Sequence, residues 1–239
     1  MADGNEEKPT QANPRGCFSK LLVMILTVCA VGLGFALYFM AQPQDLSDIH
    51  GYTQESRAAV PRDIRSMLQN SLDRSYPVTL TESEINRWLL ATLKTKQGGL
   101  LADSVSLDGV WVHLEDGRAE VVLERKVLGK PFTVSIYLQI EQSESDSGAT
   151  TAVQFHGGPF HPYLPFPKCG GRFGRLPVPQ GFLHLVMPSF EKLAAAFPDE
   201  LRLFKDMARI KIEDERLTFD PRLPQQPVSG SPEPAVPSS

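Results

Sequence analysis

The apolar residues of the chain form one long uncharged run and a series of shorter, patterned segments. The run from Leu21 to Ala41 contains no charged residue. As an α-helix it would be about 31 Å long, close to the thickness of a hydrocarbon core. A single segment in lipid can satisfy its backbone hydrogen bonds only as a helix. We therefore predict that residues 21–41 form a transmembrane helix in contact with the lipid bilayer.

A cleaved signal peptide is the main alternative for this run. The apolar region of such a peptide is shorter, about 7 to 15 residues, and it ends in small residues at the cleavage site. Ala41 has the bulky Phe39 two positions before it, which disfavours cleavage. Cys29 follows Val28, where a lipoprotein signal carries a small residue. The pattern favours an uncleaved anchor.

The charges that flank the run predict its orientation. Arg15 and Lys20 precede it, whereas the first Lys or Arg after it is Arg57. Basic residues are retained on the cytoplasmic side of a membrane. We expect a single-pass protein of the plasma (inner) membrane, with a cytoplasmic N-terminus and an extracytoplasmic C-terminal part.

Two short amphipathic helices are predicted after the membrane segment. Residues 63–73 place apolar residues at helical spacing, and Pro61 precedes them. Thr81 and Glu84 form a capping box at the start of a second helix, which runs to about Lys96 and ends at Gly98-Gly99. Its apolar face contains Ile85, Trp88, Leu89 and Leu93. Asn86 and Arg87 are expected on its solvated face.

The apolar period then changes from 3.6 to 2, which indicates β-strands. Residues 105–127 read as a hairpin that turns at Gly117, with Trp111 and His113 on the exposed side. The clearest strand follows, and its inward residues are Phe132, Val134, Ile136, Leu138 and Ile140. Residues 150–155 return as a fourth strand. We predict an antiparallel meander with one buried and one solvated face, and helices that cover the buried face.

The last third of the domain begins with an irregular stretch. Residues 157–173 are rich in Gly, Pro and aromatics, so we predict an ordered loop without regular structure. An apolar helical stripe follows over 183–197, interrupted at Pro188, and a new helix starts at Pro198. A hairpin over 208–219 closes the domain.

These patterns give an α+β fold with five regions. We predict a disordered cytoplasmic tail (1–20), a transmembrane helix (21–41), a tether (42–60), an extracytoplasmic α+β domain (61–222) and a disordered Pro-rich tail (223–239). The formal net charge of −4 offers no basic field for nucleic acid. Cys169 is alone in the exported domain, so a hydrophobic core rather than a disulfide must hold the fold.

No catalytic, cofactor or metal site is predicted. His156-Gly157-Gly158 is similar to the oxyanion loop of esterases, but the chain has no G-x-S-x-G nucleophile turn. His156, His161 and Cys169 are residue types that bind zinc, but their spacing matches no zinc motif. We therefore expect a protein that is not an enzyme.

Aromatic residues are the candidates for contact with a ligand or partner. Tyr163, Phe166 and Phe173 lie in the predicted loop, where apolar side chains must either pack on the domain or form a contact surface. Trp88 on the capped helix is a further candidate, although a core position is the more ordinary explanation for it.

Several of these segments together resemble a bacterial family. They are the helix start Leu80–Leu89, the turn Glu115–Gly117, the run Gly174–Pro179 and the closing hairpin Ile210–Asp214. Over residues 60–222 the chain is similar to the YpmS-like membrane-anchored proteins of unknown function. The resemblance implies an extracytoplasmic α+β domain and brings no catalytic residues. The stretch 157–173 is not part of that pattern.

Two classes of function remain open, with a hydrolase as the third. The first is a binding module for a lipid, another apolar ligand or an envelope component. The second is an assembly role, in which the domain contacts an envelope protein.

Overall fold

The computed structural model describes residues 14–53, 60–96, 107–127, 130–145 and 148–222. The fold is α+β, as predicted. The helices are α1 (Pro14–Ala41), α2 (Ile64–Arg74), α3 (Glu82–Lys96), a 3₁₀ helix (Gln180–Leu185), α4 (Met187–Ala195) and α5 (Pro198–Lys205). The strands are β1 (Val78–Thr81), β2 (Leu107–Glu115), β3 (Arg118–Val127), β4 (Lys130–Ser145), β5 (Gly148–Gln154), β6 (Pro159–His161), β7 (Leu164–Phe173), β8 (Leu176–Pro179), β9 (Arg209–Glu213) and β10 (Arg216–Asp220). The C-terminal tail predicted over 223–239, the first 13 residues and Gly98-Gly99 lie outside the described residues.

Helix α1 contains the long apolar run. Its segment Phe18–Ala41 has 24 residues, a mean hydropathy of 2.5 and no buried share in the most apolar window. It is long and apolar enough to cross a membrane.

The strands form two sheets. The larger has seven strands with the order β2-β3-β4-β7-β6, with β5 paired to β4 and β8 paired to β7. The smaller has the order β1-β10-β9. The predicted meander is confirmed in β2, β3 and β4, which pair antiparallel. Gly117 turns the first hairpin with a φ of 73°, a conformation that glycine adopts without strain.

The helix starts follow from local hydrogen bonds. The carboxylate of Asp63 accepts from the backbone N–H of Ser66 and begins α2. At α3 the capping box is confirmed, because the Glu84 N–H donates to Thr81 Oγ1 at 3.3 Å and the Thr81 N–H donates to Glu84 Oε2 at 3.0 Å. The predicted interruption at Pro188 is also confirmed, since the stripe divides into the 3₁₀ helix and α4.

The helices cover one face of the large sheet. Leu123 and Ile136 of the sheet pack with Leu93 of α3 and Phe190 of α4 in one core cluster. A second cluster joins α2, α3, α5 and the small sheet around Leu68 and Phe219. The side chain of Trp88 packs against both clusters and lies 5.5 Å from the ring of Phe197, between ring centroids.

The opposite face of the sheet is covered around Trp111 and Val122, which corrects the prediction that this whole face is solvated. Trp111 and Val122 on this face are almost fully buried. Leu46, Ile49 and Tyr52 pack over them. Strand periodicity shows which residues share a face, but it does not show what covers that face.

The covering segment is the one that was predicted as a tether. Residues 42–53, which we call the strap, lie on the sheet, whereas 54–59 fall outside the described residues. Gln44 ties the start of the strap to the sheet, because its backbone N–H donates to Thr133 Oγ1 at 2.8 Å. The N–H of His50 donates to the carboxylate of Glu82 at 2.7 Å. A tether is therefore the wrong description for residues 42–53.

The strap follows α1 directly, and the end of the helix packs against the domain. The side chain of Met40 packs against the core cluster of the large sheet. The backbone N–H of Arg175, in the turn between β7 and β8, donates to the carbonyl of Phe39 at 3.1 Å. Gly174 in the same turn has a φ of 56°, and a Cβ there would lie 2.2 Å from the carbonyl oxygen of Gln42. Only glycine lets the turn approach the helix end this closely.

Candidate binding ribbon

The stretch 157–173 forms β-strands, so the prediction of an irregular loop is wrong. Pro159 pairs with Lys168, and His161 pairs with Leu164. Only the last residues of β7 pair with β4, where Gly171 pairs with Ile136. Residues 159–168 therefore extend beyond the pairing with β4 as a two-stranded hairpin, which we call the ribbon.

The ribbon presents large apolar side chains to solvent. Tyr163 is 87% exposed and Phe166 is 70% exposed. Leu164 and Phe160 are also exposed. Leu164 and Phe166 are two residues apart on β7, so they lie on one face of the ribbon. Exposed apolar residues that cluster in this way indicate a contact surface.

Proline limits what the ribbon backbone can bind. Four of its positions lack an N–H donor, and they are Pro159, Pro162, Pro165 and Pro167. Because an added strand needs a row of free donors and acceptors, this edge is poorly suited to pairing with another β-strand. A ligand of the ribbon would therefore have to contact its side chains.

The base of the ribbon is fixed by polar and backbone contacts. The N–H of Gly157 donates to the Cys169 carbonyl, and the Cys169 N–H donates to the Gly158 carbonyl, both at 2.9 Å. Nη1 of Arg118 donates to the Gly157 carbonyl at 2.5 Å. A Cβ at position 157 would lie 2.4 Å from Cδ2 of Tyr137, so this backbone lies directly on the tyrosine ring. The ribbon is thus a pre-organised projection.

A buried carboxylate lies beside this base. Oε1 of Glu120 accepts from Ser135 Oγ at 2.5 Å and from Gln44 Nε2 at 3.0 Å, and Arg172 Nε lies 3.7 Å away. Burial, together with the charge of Glu120, raises the pKa of Tyr137, so this phenol stays protonated. Ser135 is fully buried and already bonded, so the cluster holds the strap on the sheet and offers no reactive hydroxyl.

The residues considered for metal binding are dispersed along this region. His161 lies exposed at the ribbon tip, whereas His156 accepts through Nδ1 from the N–H of Gly158 at 2.6 Å. Cys169 is half-buried, and burial raises the pKa of its thiol. Among the residues that the structure describes, no group of three or more His, Cys, Asp or Glu side chains is placed to hold a metal ion.

The four predicted contact residues divide into two pairs. Tyr163 and Phe166 lie together on the ribbon, as a contact surface requires. Phe173 is 5% exposed and packs in the core, and Trp88 packs between the two clusters, so neither belongs to the ribbon. Phe160 and Leu164 were not selected from the sequence, although they have the same signal of apolar residues between prolines.

No protein-family model, curated protein or solved structure matches this chain.

Proposed function

We propose that this protein is a single-pass, membrane-anchored binding module, which uses the ribbon to hold a lipid or a comparable apolar ligand outside the cytoplasm. The observation that carries the proposal is the exposure of Phe160, Tyr163, Leu164 and Phe166 on one projecting hairpin.

Membrane anchoring is supported by α1. The helix is uncharged from Leu21 to Ala41, and the basic residues Arg15 and Lys20 lie in its first two turns. Its last turn is packed into the domain through Met40. Retention of the helix after export is consistent with these contacts, because the domain uses the helix end as part of its own structure.

The place of the ribbon favours an apolar ligand that lies away from the anchor. The apolar face of the large sheet is filled by helices, so it offers no surface for the ligand. Strand β7 runs from Leu164 at the tip to Phe173 beside the helix end. Nine residue steps at 3.3 Å separate these two points by about 30 Å. The ribbon therefore reaches out from the anchored end of the domain.

Photo-crosslinking tests the ligand directly. A benzophenone amino acid replaces Tyr163 in the full-length protein, and Tyr76 is replaced in a control because it is another exposed tyrosine of the domain. After illumination in native membranes, we expect an adduct of lipid mass at position 163 and none at position 76.

Other outcomes of this experiment would contradict the proposal. A protein adduct at position 163 without any lipid adduct would favour the assembly role instead. Equal labelling at both positions, or none at position 163, would remove the ribbon as the binding surface.

The orientation is tested by proteolysis. In intact cells whose outer barrier has been removed, we expect external protease to digest the domain while the N-terminal tail stays protected. Protection of the domain until the membrane is permeabilised would show the opposite topology.

A further inference from the structure

The two ends of the large sheet differ in charge. The β7–β8 turn and the start of the strap lie at the end of the sheet where α1 enters, because Thr133 of β4 binds both of them. Its carbonyl accepts from the Gly174 N–H at 2.8 Å, and its Oγ1 accepts from the Gln44 N–H at 2.8 Å. Lys130 is three residues before Thr133, which is about 10 Å along the strand.

Basic side chains gather at this membrane-side end. Lys126 and Lys130 are exposed beside the β3–β4 turn, and Arg175 is exposed beside the helix end. Arg125 is half-buried, and its Nε is buried without a hydrogen-bond partner. The acids nearby are Asp108, 3.3 Å from Lys126, Glu124, which pairs with Thr133, and Asp45 close to Arg175.

Acidic side chains gather at the opposite end. The β2–β3 and β9–β10 turns lie side by side there, because the Gly117 N–H donates to the Ile212 carbonyl at 3.1 Å. These turns carry Glu115, Asp116, Glu213, Asp214 and Glu215. Arg118 and Lys211 form ion pairs with Glu115 and Glu213 at this end, but the acidic side chains of the two turns outnumber the basic ones.

The length of α1 places the basic end at the membrane surface. The uncharged run Leu21–Ala41 spans about 31 Å as a helix, and the hydrocarbon core is about 30 Å thick. With this run across the membrane, Ala41 lies at the boundary between the core and the headgroup layer. Side chains within about 10 Å of the helix end lie in or next to that layer.

We infer that the end of the sheet that carries Lys126, Lys130 and Arg175 binds the phosphates of anionic phospholipids. Cationic side chains near an anionic surface are attracted by about 1 kcal/mol each. The acidic turns point away from the same surface. This inference rests on the proposed anchoring of α1, but it is independent of the ribbon.

Lipid retention tests the inference. The full-length protein is placed in nanodiscs of phosphatidylcholine with phosphatidylglycerol, and the lipids that remain bound are identified by native mass spectrometry. For K126Q/K130Q/R175Q we expect the preference for phosphatidylglycerol to fall by about 150-fold, because three attractions of about 1 kcal/mol each are lost.

A matched variant tests whether the position of the removed charges matters, rather than only the change in net charge. R209Q/K211Q/R216Q removes three exposed basic residues from β9 and β10, and it should keep the wild-type preference. An equal fall in both variants, or no fall in K126Q/K130Q/R175Q, would overturn the inference. If the wild-type protein did not enter nanodiscs at all, the anchoring itself would be wrong.

Discussion

The side chain of Asn86 pairs with the backbone of Val112 as a neighbouring strand would. Asn86 Oδ1 accepts from the Val112 N–H at 2.7 Å, and its Nδ2 donates to the Val112 carbonyl at 2.8 Å. Nδ2 also donates to the His50 carbonyl at 2.8 Å. Since β2 is an edge strand of the large sheet, helix α3 closes this edge with a side chain and joins it to the strap.

Asn86→Ala should therefore destabilise the domain strongly. The substitution removes the partner of three partly buried backbone groups, and we expect the free energy of unfolding to fall by about 2 to 4 kcal/mol. Urea denaturation of the full-length protein in detergent, followed by tryptophan fluorescence, measures this. Asn70→Ala changes an exposed asparagine of α2 and should stay within about 0.5 kcal/mol of wild type. Similar losses in both variants would contradict the role of Asn86.

The stability that His113 contributes should decrease as pH rises. The hydrogen bond to the buried carboxylate of Glu82 raises the pKa of His113 above its ordinary value of 6.5, and Glu115 and Glu120 act in the same direction. A raised folded-state pKa stabilises the fold fully below the unfolded pKa, and this contribution is lost as pH rises through the folded pKa.

Comparison of wild type with His113→Gln between pH 5.5 and pH 9 isolates this contribution, since the neighbouring carboxylates are present in both. We expect the difference in unfolding free energy to be largest at low pH and to shrink above neutrality. A difference that is constant with pH would show that His113 does not titrate with folding.

Gly174→Ala should loosen the junction between α1 and the domain. The added Cβ would meet the carbonyl oxygens of Gln42, Met40 and Phe39 at 2.2, 2.5 and 2.8 Å. We expect a loss of about 2 kcal/mol or more, because the residue also has a positive φ. New protease cleavage between residues 41 and 46 should accompany this loss. Gly181→Ala has open space for its Cβ, so it should leave the cleavage pattern unchanged.

Truncation of Phe166 and truncation of Phe173 to alanine should have different effects on stability. Phe166→Ala changes an exposed ribbon residue, so stability should stay within about 0.5 kcal/mol while lipid crosslinking from position 163 decreases. Phe173→Ala opens the core and should cost about 3 to 5 kcal/mol. Denaturation and crosslinking of both variants decide this, and a large stability loss in Phe166→Ala would mean that the ribbon packs on the domain.

The sequence predicted the elements of the fold well where their signals are local. The capping box of Thr81 and Glu84, the turn at Gly117 and the interruption at Pro188 each depend on residues within a few positions. The pairing of β1 with β10 joins residues far apart in the chain, such as Val78 and Phe219. Periodicity alone does not contain that information.

The burial of two residues, Asn86 and Trp111, was predicted wrongly. Asn86 was expected on a solvated face, but it is fully buried, because an edge strand that is distant in sequence requires its amide. Trp111 was expected on an exposed face, since nothing in its own strand indicates that Leu46 and Ile49 cover it. Both errors share one cause, which is a cover that comes from elsewhere in the chain.

The place of the candidate residues was only partly predictable. Apolar side chains among prolines predicted a contact surface, and the structure shows that Tyr163 and Phe166 are exposed on the ribbon. Phe173 lies in the same Pro- and aromatic-rich stretch, but it is at the end of β7 that pairs with β4. Only the strand register distinguishes its position from that of the ribbon residues.

The hydrogen bond from the Arg175 N–H to the Phe39 carbonyl joins helix α1 directly to the domain, with no flexible linker between them. In a bilayer, a thinner or thicker hydrocarbon layer changes the tilt of a helix that spans it. In the proposed anchoring, the domain would turn with the helix, and a tilt of a few degrees would move the ribbon tip sideways by ångströms. The local thickness of the membrane would then set the direction of the ribbon.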